Sequence, residues 1–321
     1  MLDISRTSDA PSLTLAGPGW ASAARRAFLA TRPPFLITSA MPVLIGTAWA
    51  GSAFHRFDGL LLALALVITV LAHAAANVYN DVGDDVIGAD AENTDRIYPY
   101  TGGSRFIQTG LLSRGQMMRL ALGLAAAAMV LGALLAVLRG PGVILLGVTG
   151  LALGLLYSLP GAQLSARGIG EAAVAVSFGA LPVLGAVWLQ AGTIDWGAAL
   201  LCVPVSAWAS AILIINEVPD IEADRRVRKR TLVVRWGAGG ARWIYCLLTV
   251  AALVAAGAAI EIHALPLWYG IVALGLAAFG LQAAGGISTE RSGRGRLKRS
   301  IEFTLAIHAL GCVALIVAIL V

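Results

Sequence analysis

The feature that most constrains this chain is that its apolar residues fall into long unbroken runs, at roughly 35–54, 58–79, 117–138, 142–160, 169–191, 197–216, 241–260, 264–284 and 301–321. A helix needs about 20 such residues to cross about 30 Å of hydrocarbon. Within lipid, backbone N–H and C=O groups must find partners inside the segment, which leaves helices and closed barrels; barrel strands would be half as long and alternate in polarity. The runs therefore predict an all-α polytopic membrane protein, a bundle of nine transmembrane helices. At 58% hydrophobic and 13% charged residues, the chain also lies outside the composition of soluble globular domains.

Basic residues set the expected orientation. If the N-terminus faces the cytoplasm, 21 of the 23 Lys and Arg residues lie in cytoplasmic segments, and Arg56 and Arg139 alone lie opposite. This positive-inside asymmetry predicts a multi-pass protein of the inner (cytoplasmic) cell membrane. The net charge of +5 follows from topology and anionic lipid headgroups, so membrane lipids are expected partners and nucleic acid is not. Residues 1–20 lack a continuous apolar stretch and read as a flexible tail rather than a cleaved signal, leaving 21–321 as one membrane domain. Cys202, Cys246 and Cys312 fall inside predicted helices at no ligand spacing and read as packing residues. Small residues between Gly123 and Ala136 permit tight helix packing within or between chains, so the oligomeric state stays open.

Ten of the 18 acids lie in two short segments, at 81–95 and 217–224, both on the predicted cytoplasmic side. At helical spacing Asn77, Asp81 and Asp84 share one side of a helix continuing out of the second run, with Asn80 beside them. Asn216, Asp220 and Asp224 make an i, i+4, i+8 ladder leaving the sixth. Like charges stacked this way repel, so each row invites a cation. Oxygen donors without His or Cys favour magnesium, which also takes ligands from phosphates; the expectation is a magnesium site holding a phosphorylated substrate. For either row alone, a solvated loop balanced by nearby arginines is an equal reading, and the pairing of two rows favours a site. Lys229, Arg230, Arg105 (in TGGSR), Arg32 and Arg167 are cations available to phosphate oxygens, although each taken singly also suits a topology or snorkelling role.

These residues resemble the UbiA superfamily of intramembrane prenyltransferases. Asn80, Asp81, Asp84, Gly88 and Asp90 match its N-D-x-x-D motif with a trailing G-x-D, and Asn216, Glu217, Pro219, Asp220, Asp224, Lys229, Arg230, Thr231 and Leu232 match its second aspartate motif. The likeness extends through Arg32–Gly46, Thr101–Ser113 and Leu156–Glu171, and the G-x-D and G-x-G-E features are most similar to the branch that prenylates 1,4-dihydroxy-2-naphthoate in menaquinone synthesis. Arg228 replaces a usual Gly, Gly161-Ala162-Gln163 a usual Pro- and Arg-containing run, and Ala166 a frequent Tyr; these departures bear on the acceptor more than on the reaction.

The resemblance implies a cytoplasmic loop cap carrying both aspartate motifs. It also implies transfer of an isoprenyl group from an allylic polyprenyl diphosphate to an aromatic acceptor. Magnesium held by Asn80, Asp84, Asp220 and Asp224 would assist departure of the diphosphate. Asp81 or Asp90 would position or deprotonate the acceptor hydroxyl, and Arg167 would pair with its carboxylate. Tyr157 and Ser158 would lie near the diphosphate, with interfacial anchoring as their alternative. Glu171, just inside the fifth helix, reads equally as functional or as a partner of the adjacent Gly-rich turn. His73 and His308 read as hydrogen-bonded core residues. Other acceptors within the family are 4-hydroxybenzoate, a homogentisate-like ring or a lipid alcohol. Among other classes, an ion-coupled transporter is disfavoured because acids are nearly absent from the helix midplanes, and a lipid-binding scaffold leaves the acid rows unexplained. Prenyl chain length is not encoded in any of these motifs.

Overall fold

In the computed structural model, which describes residues 19–321, the regular structure is helical and no strand occurs among the described residues. The tail expected at 1–20 lies outside the described residues, apart from Gly19 and Trp20. In chain order the helices are α1 (Trp20–Ala30), α2 (Pro33–Phe54), α3 (Gly59–Ile87), α4 (Ala89–Glu92), α5 (Arg114–Arg139), α6 (Gly142–Ser158) and α7 (Gly170–Ala175). A π turn (Val176–Ala180) joins α7 to α8 (Leu181–Ala191), and α9 (Trp196–Glu217), α10 (Ile221–Arg226), α11 (Leu232–Glu261), α12 (Tyr269–Gly285) and α13 (Arg294–Leu320) complete the set.

Among the described residues, seven helical segments have the length and composition to cross a membrane, with Gly170–Ala191 counted as one, and the protein is a polytopic membrane protein. The predicted runs at 142–160 and 264–284 fall on α6 and α12, apolar helices of 17 residues each, shorter than the other seven.

The helices begin and end where local chemistry dictates. Asp58 caps α3 by accepting from Leu60 and Leu61 N–H, Ser113 and Gln116 form a reciprocal capping box on α5, and Thr231 caps α11 through Val234 N–H. Each satisfies amide donors that the first helical turn leaves unpaired. Gly88, at φ 81°, stops α3 in the left-handed conformation that a residue without Cβ adopts readily. The π turn precedes Pro182, which offers no N–H to the Phe178 carbonyl and crowds it, so the turn widens there.

Because the long helices alternate in direction, the C-terminal ends of α3, α6 and α9 meet the N-terminal ends of α2, α5, α7 and α11 at one end of the bundle. Both acidic segments lie at that end. The α3–α5, α9–α11 and α2–α8 pairs form the most extensive packings. A core built on Trp49, Val183, Val187, Leu201, Trp208 and Leu315 fills the bundle away from the polar end, and a second core on Ile214, Ile215, Tyr245 and Ile301 lies beneath it.

Close approach of α2 and α8 depends on Gly46: a Cβ there would sit against the Val183 carbonyl and 2.8 Å from Ala186 Cβ. Backbone cannot yield as a flexible side chain would. Gly46→Val is therefore expected to overpack this crossing and cost about 1–3 kcal/mol, read as a lower melting temperature in detergent, whereas Gly51→Ala, where the added carbon meets nothing and Ala suits the helix better than Gly, should not lower it.

Candidate active site

The first acid row lies on one continuous helix, as its spacing predicts, because α3 runs to Ile87. The second does not. A ladder on one helix is expected from Asn216 to Asp224, but α9 ends at Glu217, the chain turns through Val218–Asp220, and α10 starts afresh at Ile221. Pro219 lies within that turn, and it lacks the N–H needed to continue the helix. The break leaves Asn216 on the end of α9 and swings Asp224 onto α10.

The rows meet through Lys229. Its Nζ lies 3.3 Å from Asp84 Oδ1 and 3.6 Å from Asp224 Oδ1, so carboxylates separated by 140 residues in sequence share one cation. The side chains of Lys229, Asp84 and Asp224 are only 13%, 13% and 5% exposed. Burial opposes the charge on Lys229, but Asp84 and Asp224 more than offset it and hold its pKa well above the usual lysine range. Burial, only partly countered by Lys229 and reinforced by Asp220 and Asp84, pushes Asp224 up to about 7.

Around this pair each acid has a support. Asp220 accepts from Asn93 Nδ2 at 2.7 Å, and burial raises its pKa despite that bond and the charge of Lys229. Asp81, 2% exposed, accepts Ser104 N–H at 3.1 Å, and Arg32 acts on it electrostatically. Asp90 accepts from Gln108 Nε2 at 3.4 Å, and Arg105 donates to its backbone carbonyl; burial, then the charges of Asp84 and Asp81, raise its pKa strongly. Asp85, by contrast, pairs outward with Arg114 at 2.6 Å.

The remaining predicted residues divide. Asn80 donates to Ser158 Oγ at 3.1 Å, and the Tyr157 phenol feels the charges of Glu217, Lys229, Asp84 and Glu171, so both members of the Tyr-Ser pair adjoin the acid rows. Asn77 donates to the Thr31 carbonyl at 3.0 Å, and Arg32 to the Tyr100 carbonyl at 3.3 Å. Arg167 is exposed and donates to Gly161 in its own loop, so the structure does not gather it with the acids. The TGGSR segment, which carries the candidate cation Arg105, braces the first row. A Cβ on Gly103 would lie 3.0–3.1 Å from Asp81 and Asp90 oxygens, and its φ of 70° also requires glycine.

Two supports escape sequence reasoning, and Glu171, a candidate by sequence, takes a partner that the sequence did not suggest. Asn93 belongs to neither motif and reaches Asp220 only because α4 packs on α10. Gln108 spans Asp85 and Asp90. Glu171 accepts Leu232 N–H at 2.8 Å, so it serves the first turn of α11 rather than its neighbouring glycines. No spacing rule signals any of these contacts.

Among the described residues, no three acidic, His or Cys side chains converge tightly enough to ligate a metal unaided. Asp81 Oδ1, Asn216 Oδ1 and Glu217 Oε2 are nevertheless buried without hydrogen-bond partners, leaving hard oxygen acceptors unused at the site. Magnesium is commonly bound through one or two carboxylates together with substrate phosphates. Unpartnered buried oxygens close to the facing Asp84 and Asp224 carboxylates are donors of the kind that ion takes.

A helical membrane bundle with two acid rows facing across a buried cation has the form of an intramembrane enzyme that handles anionic head groups. The profile of the UbiA prenyltransferase family matches residues 39–318, and the chain belongs to that family. It is 33% identical over 264 residues to the 1,4-dihydroxy-2-naphthoate octaprenyltransferase of Mycobacterium tuberculosis, covering 82% of this chain and 86% of that protein. Its identity to the Escherichia coli protein of the same name is 33% over 229 residues, covering 70% and 72%. A UbiA homologue from Aeropyrum pernix superposes with a TM-score of 0.66 at 20% identity, over 88% of this chain and 97% of that one. One from Archaeoglobus fulgidus, solved with DMAPP and Mg2+, superposes at 0.62 and 14% identity, over 87% and 98%.

Glu171 offers a stability test of the site's frame. Glu171→Ala strands the Leu232 N–H and is expected to cost about 1–3 kcal/mol, whereas Glu171→Gln keeps an acceptor oxygen and should retain most of the wild-type melting temperature.

Proposed function

We propose that this protein transfers an isoprenyl group from an allylic polyprenyl diphosphate to 1,4-dihydroxy-2-naphthoate, in menaquinone synthesis. The observation that carries the reading is the meeting of two acid rows from separate helices at one buried, lysine-bridged mouth. The names of the Mycobacterium and Escherichia relatives support the acceptor, and the ligands in the Archaeoglobus structure's name support an allylic diphosphate with magnesium.

The chain's own residues have distinct tasks in this reading. Lys229, Arg32 and Arg105 offer positive charge to the diphosphate at the mouth, and Asn77, Asn216, Tyr157 and Ser158 frame its approach. Asn80, Asp84, Asp220 and Asp224 hold magnesium, which when bound supplies Lewis-acid and electrostatic stabilisation of the leaving group. The C1–O bond of the prenyl diphosphate breaks, and diphosphate departs with the electron pair. The acceptor ring attacks the resulting allylic cation, and its carboxyl group leaves as carbon dioxide. Asp81, buried in the first row, and Asp90, buried beside it, are positioned to orient the acceptor hydroxyl or take its proton. The apolar interior keeps water from the cation, which would otherwise become an alcohol. Arg167, exposed and bonded to Gly161 in its own loop, takes no part in these steps.

In the same reading α6 and α12 also span the membrane, giving nine spans in one domain over 21–321. The 21 to 2 split of basic residues then sets the N-terminus and the mouth on the cytoplasmic face of the inner membrane.

Purified protein in lipid nanodiscs, given magnesium, an allylic diphosphate and dihydroxynaphthoate, is expected to form prenylated product detectable by mass spectrometry, and EDTA should abolish it. Product with 4-hydroxybenzoate but not with the naphthoate would discard the acceptor assignment. Asp84→Asn and Asp220→Asn should each lower turnover by about 100-fold or more without loss of folding; full activity in either variant would remove the metal assignment.

A further inference from the structure

Lys229 stands where a metal ion shared by the two rows would have to go. Its ammonium is the link between Asp84 on α3 and Asp224 on α10, at 3.3 and 3.6 Å. The main chain at this point is pinned on both sides: Lys229 N–H donates to the Asp224 carbonyl at 2.9 Å, and Arg230 N–H to the Ala166 carbonyl at 3.0 Å. Only the four-carbon stem is therefore free to swing. A compact ammonium on a flexible stem can trade partners more readily than a guanidinium fork.

Two cations cannot use these oxygens together. With the ammonium in place, a divalent ion would meet both a positive charge and two occupied carboxylates in a site too enclosed for water to screen them well. Driving the ammonium away without a new partner would strand a buried charge. A diphosphate alters both sides of this balance, since its oxygens give Nζ a new partner and supply the ligands that the acid rows lack.

We infer that Lys229 is an internal counter-ion that shuts the site to divalent metal until a diphosphate arrives, so that metal and prenyl diphosphate load together. This role rests on the prenyl-diphosphate reading above and goes beyond it, because a lysine that only received the diphosphate, without occupying the metal's oxygens beforehand, would leave metal affinity of the empty enzyme nearly unchanged when removed. In the empty enzyme the same ammonium suppresses repulsion between the rows.

The test is Mn2+ binding followed by electron paramagnetic resonance of the free ion, which needs no turnover, with and without an unreactive prenyl thiodiphosphate. A protein-free titration corrects for metal held by the thiodiphosphate alone. Wild type should bind Mn2+ weakly by itself and tightly with thiodiphosphate. Lys229→Gln should bind Mn2+ by itself about tenfold more tightly than wild type, or more, while Lys229→Arg, which keeps the charge, should stay weak. Equal affinity in Lys229→Gln and wild type would overturn the inference while leaving the prenyl-diphosphate reading intact. No Mn2+ bound by wild type even with thiodiphosphate would overturn both. If Lys229→Gln folds only with Mg2+ present, the metal is replacing the ammonium, as inferred. If it fails to fold with metal while Lys229→Arg folds, the inference is wrong.

Discussion

Everything at the polar end of this bundle answers to one constraint: carboxylates from two helices are buried facing each other and require positive charge between them. Without it, Asp84 and Asp224 would repel across a gap that solvent barely enters. Lys229 meets the requirement at 3.3 and 3.6 Å, and the neighbouring loops are organised to keep it there. Arg230 is tied to Ala166, and Glu171 caps the turn that starts α11, so the segment after α6 and the first turn of α7 together anchor the one carrying the lysine.

The loop after α4 performs a matching service for the first row. Gly102 and Gly103 take left-handed backbone in succession, which brings Ser104 N–H onto Asp81 and leaves no Cβ between the loop and the carboxylates. Asn93 reaches across to Asp220 from the same stretch of chain. A cap of this kind restricts the entry of water to a reactive cation while keeping acceptor oxygens available, the combination that an allylic intermediate demands. The buried oxygens left without partners on Asp81, Asn216 and Glu217 belong to the same logic, since a site that must gain ligands cannot be fully satisfied beforehand.

Much of this was legible in the chain. Runs of about 20 apolar residues leave a segment in lipid no backbone option but the helix, and all nine runs fall on helices. The row on α3 was equally readable, because Asn77, Asp81 and Asp84 lie on one unbroken helix whose period fixes their shared side. The row after α9 was not, because Pro219 breaks the periodicity on which the inference rests. Arg167 and the TGGSR loop look alike in sequence as cation and phosphate candidates. Only one of them lies beside the acids, where its Ser104 N–H braces Asp81.

The sequence by itself determined the solvent the protein lives in, the helices, the segregation of charge to one side, and the residues from which a site for anionic head groups would be made. Those properties follow from local periodicity and from the cost of burying backbone and charge, which a single segment already expresses. The tertiary structure alone decided that the two rows converge, that a lysine bridges them, and that Asn93, Gln108 and Glu171 hold the frame. Such contacts join residues up to 145 positions apart, and no local periodicity encodes a distance set by how helices pack.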